Sequence, residues 1–222
     1  MQNNLGPEGG LAMVAVLRSP SCRLKKLNME ECQIGPIALR ATGTSLRSGN
    51  SLLTTLVIGN NLVDDDDTED DYRLHNDGTA VIVDALRCGV CHVTDLDIRT
   101  AYIHGEGTSI AKALRSPNCR LASLNPDYTA GLTAGHLFQI AAVVAEETCQ
   151  LSHLIISNAL QTGFDPGHLG PGVGVAFGTA LSTHACQLLT LDIGYSYLGD
   201  TGGCAIGTFV HTLPDDSSGA LR

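Results

Sequence analysis

The chain has 222 residues, of which 43% are hydrophobic and only 4% aromatic, and its formal net charge is −10. This composition is typical of a folded chain with an aliphatic core, and it excludes a disordered protein. The acidic balance argues against nucleic acid as a partner, because phosphate binding requires clustered Lys and Arg. It favours a protein with a basic surface.

The N-terminal ten residues contain no basic segment followed by an apolar one, so they do not form a signal peptide. No apolar run reaches the ~18 residues that a membrane-spanning helix needs. The sequence also has no Asn-x-Ser/Thr glycosylation site. We therefore expect a cytoplasmic protein with reduced cysteines and no membrane partner.

One spacing of apolar residues recurs along the chain. Its first copy, from Leu24 to Ile34, reads L-x-x-L-x-M-x-x-C-x-I. Further copies begin at Leu53, Val93, Leu121, Leu151 and Leu188. The copy at Leu121 is degraded, because Pro126 stands where an apolar strand residue is expected. A bulge or an irregular turn is predicted there.

Apolar residues at three- and four-residue spacing predict a helix beside each copy. The predicted helices cover residues 9–17, 36–46, 78–86, 107–114, 134–146, 171–181 and 202–210. Strands that alternate with helices predict a parallel sheet, and repeats that cannot bury an apolar face alone are expected to stack. We expect a single domain of about six repeats over residues 1–214, with insertions near residues 64–77 and 161–174, and a polar tail over residues 215–222.

Cysteines follow the same repeat. Five of the eight stand two residues before the first strand position of their copy, and they are Cys22, Cys91, Cys119, Cys149 and Cys186. The copy at Leu53 has Ser51 at this position. The regularity predicts a buried column of thiols at the turns between helices and strands.

Residues 17–34, L-R-S-P-S-C-R-L-K-K-L-N-M-E-E-C-Q-I, and residues 114–121, L-R-S-P-N-C-R-L, resemble the ribonuclease-inhibitor type of leucine-rich repeat. Repeats of this type also form the sensor arrays of NOD-like receptors. The resemblance covers essentially the whole chain. It implies a right-handed α/β solenoid shaped like a horseshoe, with the parallel sheet on the concave face and the helices on the convex face. Its members are mostly binding proteins.

Side chains that alternate with the strand leucines are expected to face the concave side. The candidate partner-binding residues are Lys26, Asn28, Glu30, Asp95, Asp97, Arg99, Asn125, Asp127, Tyr128, His153, Asp192 and Tyr195. Their neighbours on this face are Glu31, Thr55, Val57, Asn60, Thr100, Ser123, Ile155, Ser157, Asn158 and Thr190. The face is acidic, and its tyrosines are candidate anchors for a partner. For any single residue, a solvated sheet surface is the alternative.

The first insertion carries seven carboxylates in eight residues, namely Asp64, Asp65, Asp66, Asp67, Glu69, Asp70 and Asp71. Mutual repulsion favours an extended loop, either solvated or used to dock a basic partner. A calcium site fits poorly, because the loop lacks the Gly and the final Glu of an EF-hand.

Other motifs do not indicate chemistry. The Gly-rich second insertion lacks the G-K-S/T of a phosphate loop, and Cys88 and Cys91 form a C-x-x-C pair without a second pair. We therefore expect no enzyme, no metal and no cofactor. The favoured function is a protein-interaction scaffold, which could be a subunit of a larger assembly. The alternatives are a regulator of an enzyme in trans, like ribonuclease inhibitors or GTPase-activating proteins with such repeats, and a fragment of a NOD-like receptor sensor.

Overall fold

The computed structural model describes residues 3–61, 78–101, 107–129, 132–157 and 170–212. Within these ranges, helices and three-residue strands alternate along the chain. The elements are α1 (Gly6–Arg18), β1 (Lys26–Asn28), α2 (Gly35–Leu46), β2 (Thr55–Val57), α3 (Gly78–Ala85), β3 (Asp95–Asp97), α4 (Gly107–Leu114), β4 (Ser123–Asn125), α5 (Ala134–Val144), β5 (His153–Ile155), α6 (Gly170–Leu181), β6 (Thr190–Asp192) and α7 (Gly199–Thr212).

The six strands form one parallel sheet in the order β1-β2-β3-β4-β5-β6. The central strand residues pair in register, and they are Leu27, Leu56, Leu96, Leu124, Leu154 and Leu191. Each strand therefore pairs only with its neighbours along the chain, and each helix contacts the next helix. The predicted parallel sheet is confirmed, and the sequential order is consistent with a solenoid-like arrangement.

The core lies between the sheet and the helices and consists mainly of Leu, Ile, Val and Ala. Burial of one such aliphatic side chain contributes roughly 1.5–3 kcal/mol, so the stacked leucines are the main source of stability. The outermost repeats are less well covered. Leu24, the first residue of the repeat pattern, is 37% exposed, and Leu191 and Ile193 are only partly buried. Among the described strands, β1 and β6 each pair on one side only.

The range given for the second insertion, residues 161–174, overlaps the helix predicted over residues 171–181. Residues 170–174 form the first turns of α6. A Cβ atom added at Gly174 would lie 2.5 Å from the Cα of Gly202 in α7. These glycines therefore allow two helix backbones to approach closely. Residues 161–169, the acidic loop at 64–71 and the polar tail lie outside the described residues.

The predicted thiol column is present. Cys91, Cys119 and Cys149 are buried, and Cys22 and Cys186 at its ends are partly buried. In all five, the backbone N–H donates to the carbonyl three residues earlier, which closes the turn after each helix. Burial raises the pKa of Cys91, Cys119, Cys149 and Cys186 above the usual thiol value. Within the described ranges, no helix has the length and apolar character needed to cross a membrane.

Candidate protein-binding surface at the strand-exit edge

All six strands are parallel, so they end at the same side of the sheet. We call this region, at the C-terminal ends of the strands, the strand-exit edge. It comprises the last residue of each strand and the turn that follows, in residues 28–34, 57–61, 97–101, 125–129, 155–157 and 192–198. Nine of the twelve predicted partner-binding residues lie in it. The other three, Lys26, Asp95 and His153, begin their strands.

An Asn or Asp ends four of the six strands, and its side chain caps the following turn. The side-chain oxygen accepts a hydrogen bond from the backbone N–H two residues later, an arrangement that competes with strand continuation. The pairs are Asn28 with Glu30 at 2.8 Å, Asp97 with Arg99 at 3.0 Å, Asn125 with Asp127 at 3.1 Å, and Asp192 with Gly194 at 2.9 Å. These four residues, predicted only as binding residues, thus also hold the turns in shape.

Two of these caps make further contacts between repeats. Asp97 accepts a hydrogen bond from Asn125 Nδ2 at 3.1 Å, and Asp192 accepts one from Ser157 Oγ at 2.7 Å. The side chains of neighbouring turns are therefore linked along the edge. A surface with such fixed polar groups loses little conformational entropy when a partner binds.

Beyond five of the six central leucines, all except Leu154, the fourth following residue adopts a left-handed backbone. Its φ lies between 53° and 55° in Glu31, Asn60, Thr100, Tyr128 and Tyr195. A non-glycine residue in this conformation costs roughly 1–2 kcal/mol, so its recurrence shows that the turn is imposed by the surrounding structure. The column presents Tyr128 and Tyr195 to solvent, with 43% and 82% of their surface exposed. Sequence reasoning placed both tyrosines on the surface but did not foresee the strained column.

Asn61 holds the interior of the edge and was not among the predicted functional residues. It is 4% exposed, and its Oδ1 accepts from the N–H groups of Cys32 and Ile34 at 3.0 and 3.4 Å. Its Nδ2 lies within 2.6 to 3.2 Å of the carbonyl oxygens of Met29, Ile58 and Gly59. One amide therefore connects the first two repeats. The signal was its place in the repeat, where the first copy has Cys32.

Carboxylates dominate the charge of the edge. Burial raises the pKa of Asp127, and the negative charges of Asp192 and Asp97 raise it further, while the N–H of Tyr128 and the charge of Arg99 oppose the rise. Arg99 hydrogen-bonds Asp97, which raises the pKa of the guanidinium, and its Nε lies 3.5 Å from Glu30 Oε1. Among the ion pairs between described residues, Asp127 and Asp192 take part in none.

The residues that begin the strands form a second row on the same sheet face. Lys26 is exposed, Thr94 Oγ1 donates to Asp95 at 2.7 Å, and His153 Nδ1 lies 2.7 Å from Thr190 Oγ1. Val57 and Ile155 add partly exposed apolar surface. In the part of the chain that the structure describes, no three potential ligands lie close enough to hold a metal ion. Asn158 and the acidic loop lie outside that part.

No protein-family model matches the chain. The chain is similar to the NACHT, LRR and PYD domains-containing protein 14 of Homo sapiens, with 22% identity over 201 residues. The matched region covers 90% of this chain but only 16% of that protein. The sequential parallel sheet of this chain fits a repeat fold. The similarity, at this low identity, indicates a distant LRR- or NACHT-type relationship.

Proposed function

We propose that the chain is a leucine-rich-repeat array of the ribonuclease-inhibitor type and that it serves as a non-catalytic module for binding another protein. In this proposal the solenoid is right-handed and bent into a horseshoe, with the sheet on its concave side. The sequential parallel sheet and the similarity to an LRR-containing protein support the repeat assignment. The described cysteines are free, which favours a reducing, cytoplasmic setting.

The main observation behind this proposal is that the strand-exit edge combines exposed tyrosines with two carboxylates, Asp127 and Asp192, that form no ion pair with another described residue. Tyr195 is 82% exposed, and Asp192 lies three residues before it at the end of the last strand. Asp127 is partly desolvated and repelled by two neighbouring carboxylates. A positively charged group that approaches Asp127 and Asp192 would relieve this repulsion, so the edge favours a basic partner.

The chemistry of the edge suits an arginine or a lysine of the partner. A carboxylate can accept hydrogen bonds from a guanidinium, while a tyrosine ring attracts the cation and covers its apolar stem. Tyr128 and Tyr195 occupy equivalent positions two repeats apart, so the surface offers the same aromatic feature twice. Because turn hydrogen bonds fix the carboxylates, the partner would meet a preorganised surface.

Affinity capture followed by titration tests this function. The wild-type chain and the variant Tyr195→Ala/Asp127→Asn are each used to isolate partners, which are identified by mass spectrometry and purified. We expect the variant to bind the purified partner at least about tenfold more weakly, since aromatic and charged anchors carry much of the binding free energy.

The matched control is Phe138→Ala/Glu147→Gln, which removes an exposed aromatic ring and an exposed carboxylate away from the strand-exit edge. It should bind within about twofold of wild type, since surface substitutions outside an interface have small effects. Circular dichroism must show that all three proteins are folded. Equal affinity of the wild type and the Tyr195→Ala/Asp127→Asn variant would contradict the proposal.

The regulatory alternative, inhibition or activation of an enzyme in trans, uses the same surface. It is distinguished by the partner's own activity, measured with and without a saturating amount of this chain. A basic enzyme whose rate changes more than about twofold, and recovers when the Tyr195→Ala/Asp127→Asn variant is used, would make the chain a regulator. A partner without an enzymatic response supports the scaffold or the sensor fragment, to which the similarity with the human protein points.

A further inference from the structure

The opposite side of the array carries the opposite charge in its first four turns. We call it the helix-exit edge, and it comprises residues 18–25, 47–54, 86–94, 115–122, 145–152 and 182–189, which lead from each helix to the next strand. The first four of these segments contain no Asp or Glu. They contain seven cationic residues, which are Arg18, Arg23, Lys25, Arg47, Arg87, Arg115 and Arg120. Over half of the 13 Lys and Arg residues of an acidic chain are therefore collected on one edge.

The cations recur at two positions of the repeat. Four of the arginines each follow the leucine that ends a predicted helix, and they are Arg18, Arg47, Arg87 and Arg115. Arg23 and Arg120 each follow a cysteine of the thiol column. His92 follows the column cysteine of the third repeat, and its Nδ1 lies 3.3 Å from Arg120 Nη1. Because the repeats stack in sequence, equivalent positions form rows across the turns. The result is a ribbon of positive charge rather than scattered residues.

Few of the seven cations of the ribbon take part in ion pairs between described residues. Asp84 receives both Arg47 at 2.9 Å and Arg87 at 3.1 Å, so one carboxylate serves two guanidinium groups. These side chains are about half exposed, and exposed ion pairs contribute little and are screened by salt. None of the ion pairs between described residues includes Arg18, Arg23, Lys25 or Arg120.

The structure shows how an arginine of the ribbon binds a carboxylate. Arg115 Nε and Nη2 lie 2.8 to 3.1 Å from the two carboxylate oxygens of Glu146 in the next turn. This forked geometry is the one by which Arg recognises Asp and Glu side chains. The first four turns contain no aromatic residue, so they lack the stacking platforms typical of surfaces that bind single-stranded nucleic acid. An acidic protein segment therefore fits the ribbon better than a nucleic acid does.

Distance and screening make such binding compatible with the net charge of −10. Charges separated by more than about 8 Å interact weakly at physiological ionic strength. The charge of the local surface, rather than the net charge of the chain, therefore determines whether an acidic segment is attracted. Neighbouring strands lie about 4.8 Å apart and neighbouring helices about 8–10 Å apart. Four turns thus extend over roughly 15–30 Å, which an extended chain covers with about five to nine residues.

We propose that the helix-exit edge of the first four turns binds an acidic protein segment, a run of about five to nine residues rich in Asp and Glu. This site is separate from the strand-exit edge and has the opposite charge preference. The two edges together would allow one chain to connect a basic partner with an acidic one.

The test uses a fluorescein-labelled peptide of eight glutamates, titrated with the full chain and followed by fluorescence anisotropy. The variant Arg23→Ala/Lys25→Ala/Arg120→Ala removes cations that are not used in ion pairs between described residues. We expect it to bind the peptide at least about tenfold more weakly, and an increase of NaCl from about 0.15 M to about 0.5 M should weaken wild-type binding several-fold. Its unfolding temperature should stay within about 2 °C of wild type.

A one-for-one control separates the ribbon from the overall charge. Arg120→Ala and Lys112→Ala each remove one exposed cation, the first in the turn after α4 and the second on α4 itself. Arg120→Ala should weaken binding about two- to fivefold, and Lys112→Ala less than about 1.5-fold. Equal effects of these two variants, or no binding of the peptide to wild type, would overturn the proposal.

Two further probes identify the class of partner. A single-stranded RNA of eight nucleotides and phosphatidylserine-containing vesicles carry comparable negative charge. If either binds more tightly than the glutamate peptide and loses binding in the triple variant, the acidic segment is the wrong occupant. The variant Tyr195→Ala/Asp127→Asn should bind the glutamate peptide at least as well as wild type, so this test does not depend on the function proposed for the strand-exit edge.

Discussion

The two edges of the sheet differ in charge although the same repeat builds both. The strand-exit edge collects Glu30, Asp97, Asp127 and Asp192, whereas the first four turns of the helix-exit edge collect seven cations and no carboxylate. In a parallel array all helices begin at one edge and end at the other. Helix dipoles favour negative charge near the helix start and positive charge near its end. The topology thus sorts charges that look mixed along the sequence.

The edges also differ in what holds them together. The strand-exit edge depends on polar contacts, namely the Asn and Asp caps and the buried amide of Asn61. The helix-exit edge depends on apolar burial of the thiol column, and its charges remain at the surface. Substitutions of the capping residues and of the buried amide should therefore be costly at the first edge, whereas substitutions of polar residues should be mild at the second. Four predictions test this difference.

The largest effect is expected for Asn61→Ala. The substitution leaves several buried N–H and C=O groups of the first two repeats without a partner, which should lower the free energy of unfolding by about 2–4 kcal/mol. Asn50→Ala is the matched control at the helix-exit edge, where the exposed Asn50 amide donates to the Arg18 carbonyl. It should change stability by less than about 0.5 kcal/mol. Urea denaturation measures both, and similar losses would remove the distinction between the edges.

The second prediction concerns thiol reactivity at the helix-exit edge. Burial raises the pKa of Cys119 and removes it from solvent, whereas Cys204 on α7 is exposed. Under native conditions at pH 8, Cys204 should react with a maleimide reagent at least about tenfold faster than Cys91, Cys119 or Cys149. Peptide mass spectrometry resolves the individual rates. Labelling in urea should abolish the difference, and equal native rates would show that the column is open.

The third prediction separates stability from binding at the strand-exit edge. The pKa of Asp127 is raised in the folded chain, so its carboxyl stabilises the fold only when protonated, and this contribution disappears as pH rises through that pKa. At pH 7, Asp127→Asn should therefore raise the free energy of unfolding slightly, by at most about 0.5 kcal/mol after solvent screening. The same substitution should weaken binding of a basic partner. A variant that is less stable at pH 7 would contradict this account of the charge cluster.

The smallest effect is expected for the ion pair of Arg115 and Glu146. A double-mutant cycle with alanine at each position should give a coupling free energy of about 0.2–0.5 kcal/mol, because both side chains are exposed. The coupling should decrease further in 0.5 M NaCl. A coupling above about 1.5 kcal/mol would mean that the arginines of this edge hold the fold together and are not available to a partner.

Much of the fold could be predicted because the repeat is defined by the spacing of its apolar residues. The central leucines Leu27, Leu56 and Leu96 pair in register as their spacing indicates. The predicted helix over residues 107–114 has the observed bounds, and the others differ by three residues or fewer at each end. The thiol column also followed from spacing alone. The reason is physical, since stacking places equivalent positions in contact and selects the same residue type in each repeat.

The details of the strand-exit edge could not be predicted in the same way. Nothing in the spacing shows that Tyr128 and Tyr195 adopt a left-handed backbone, because such a conformation is imposed by neighbouring repeats. Asp97 and Asp192 act both as turn caps and as surface charges. Their recurrence at the last strand position could have indicated the caps, but it predicted only a charged binding surface. Leu24 precedes β1, which pairs on one side only among the described strands, and the repeat pattern alone does not contain that position.

The glycine contact between α6 and α7 has a consequence for the last tyrosine. Gly174 and Gly202 pack backbone against backbone, with no side chain between them to absorb a change in spacing. Helix α7 begins at Gly199, four residues after Tyr195. We therefore expect a methyl group added at Gly174 to displace α7 and, with it, the ring of Tyr195. The packing of two helices would then determine where an exposed tyrosine of the strand-exit edge lies.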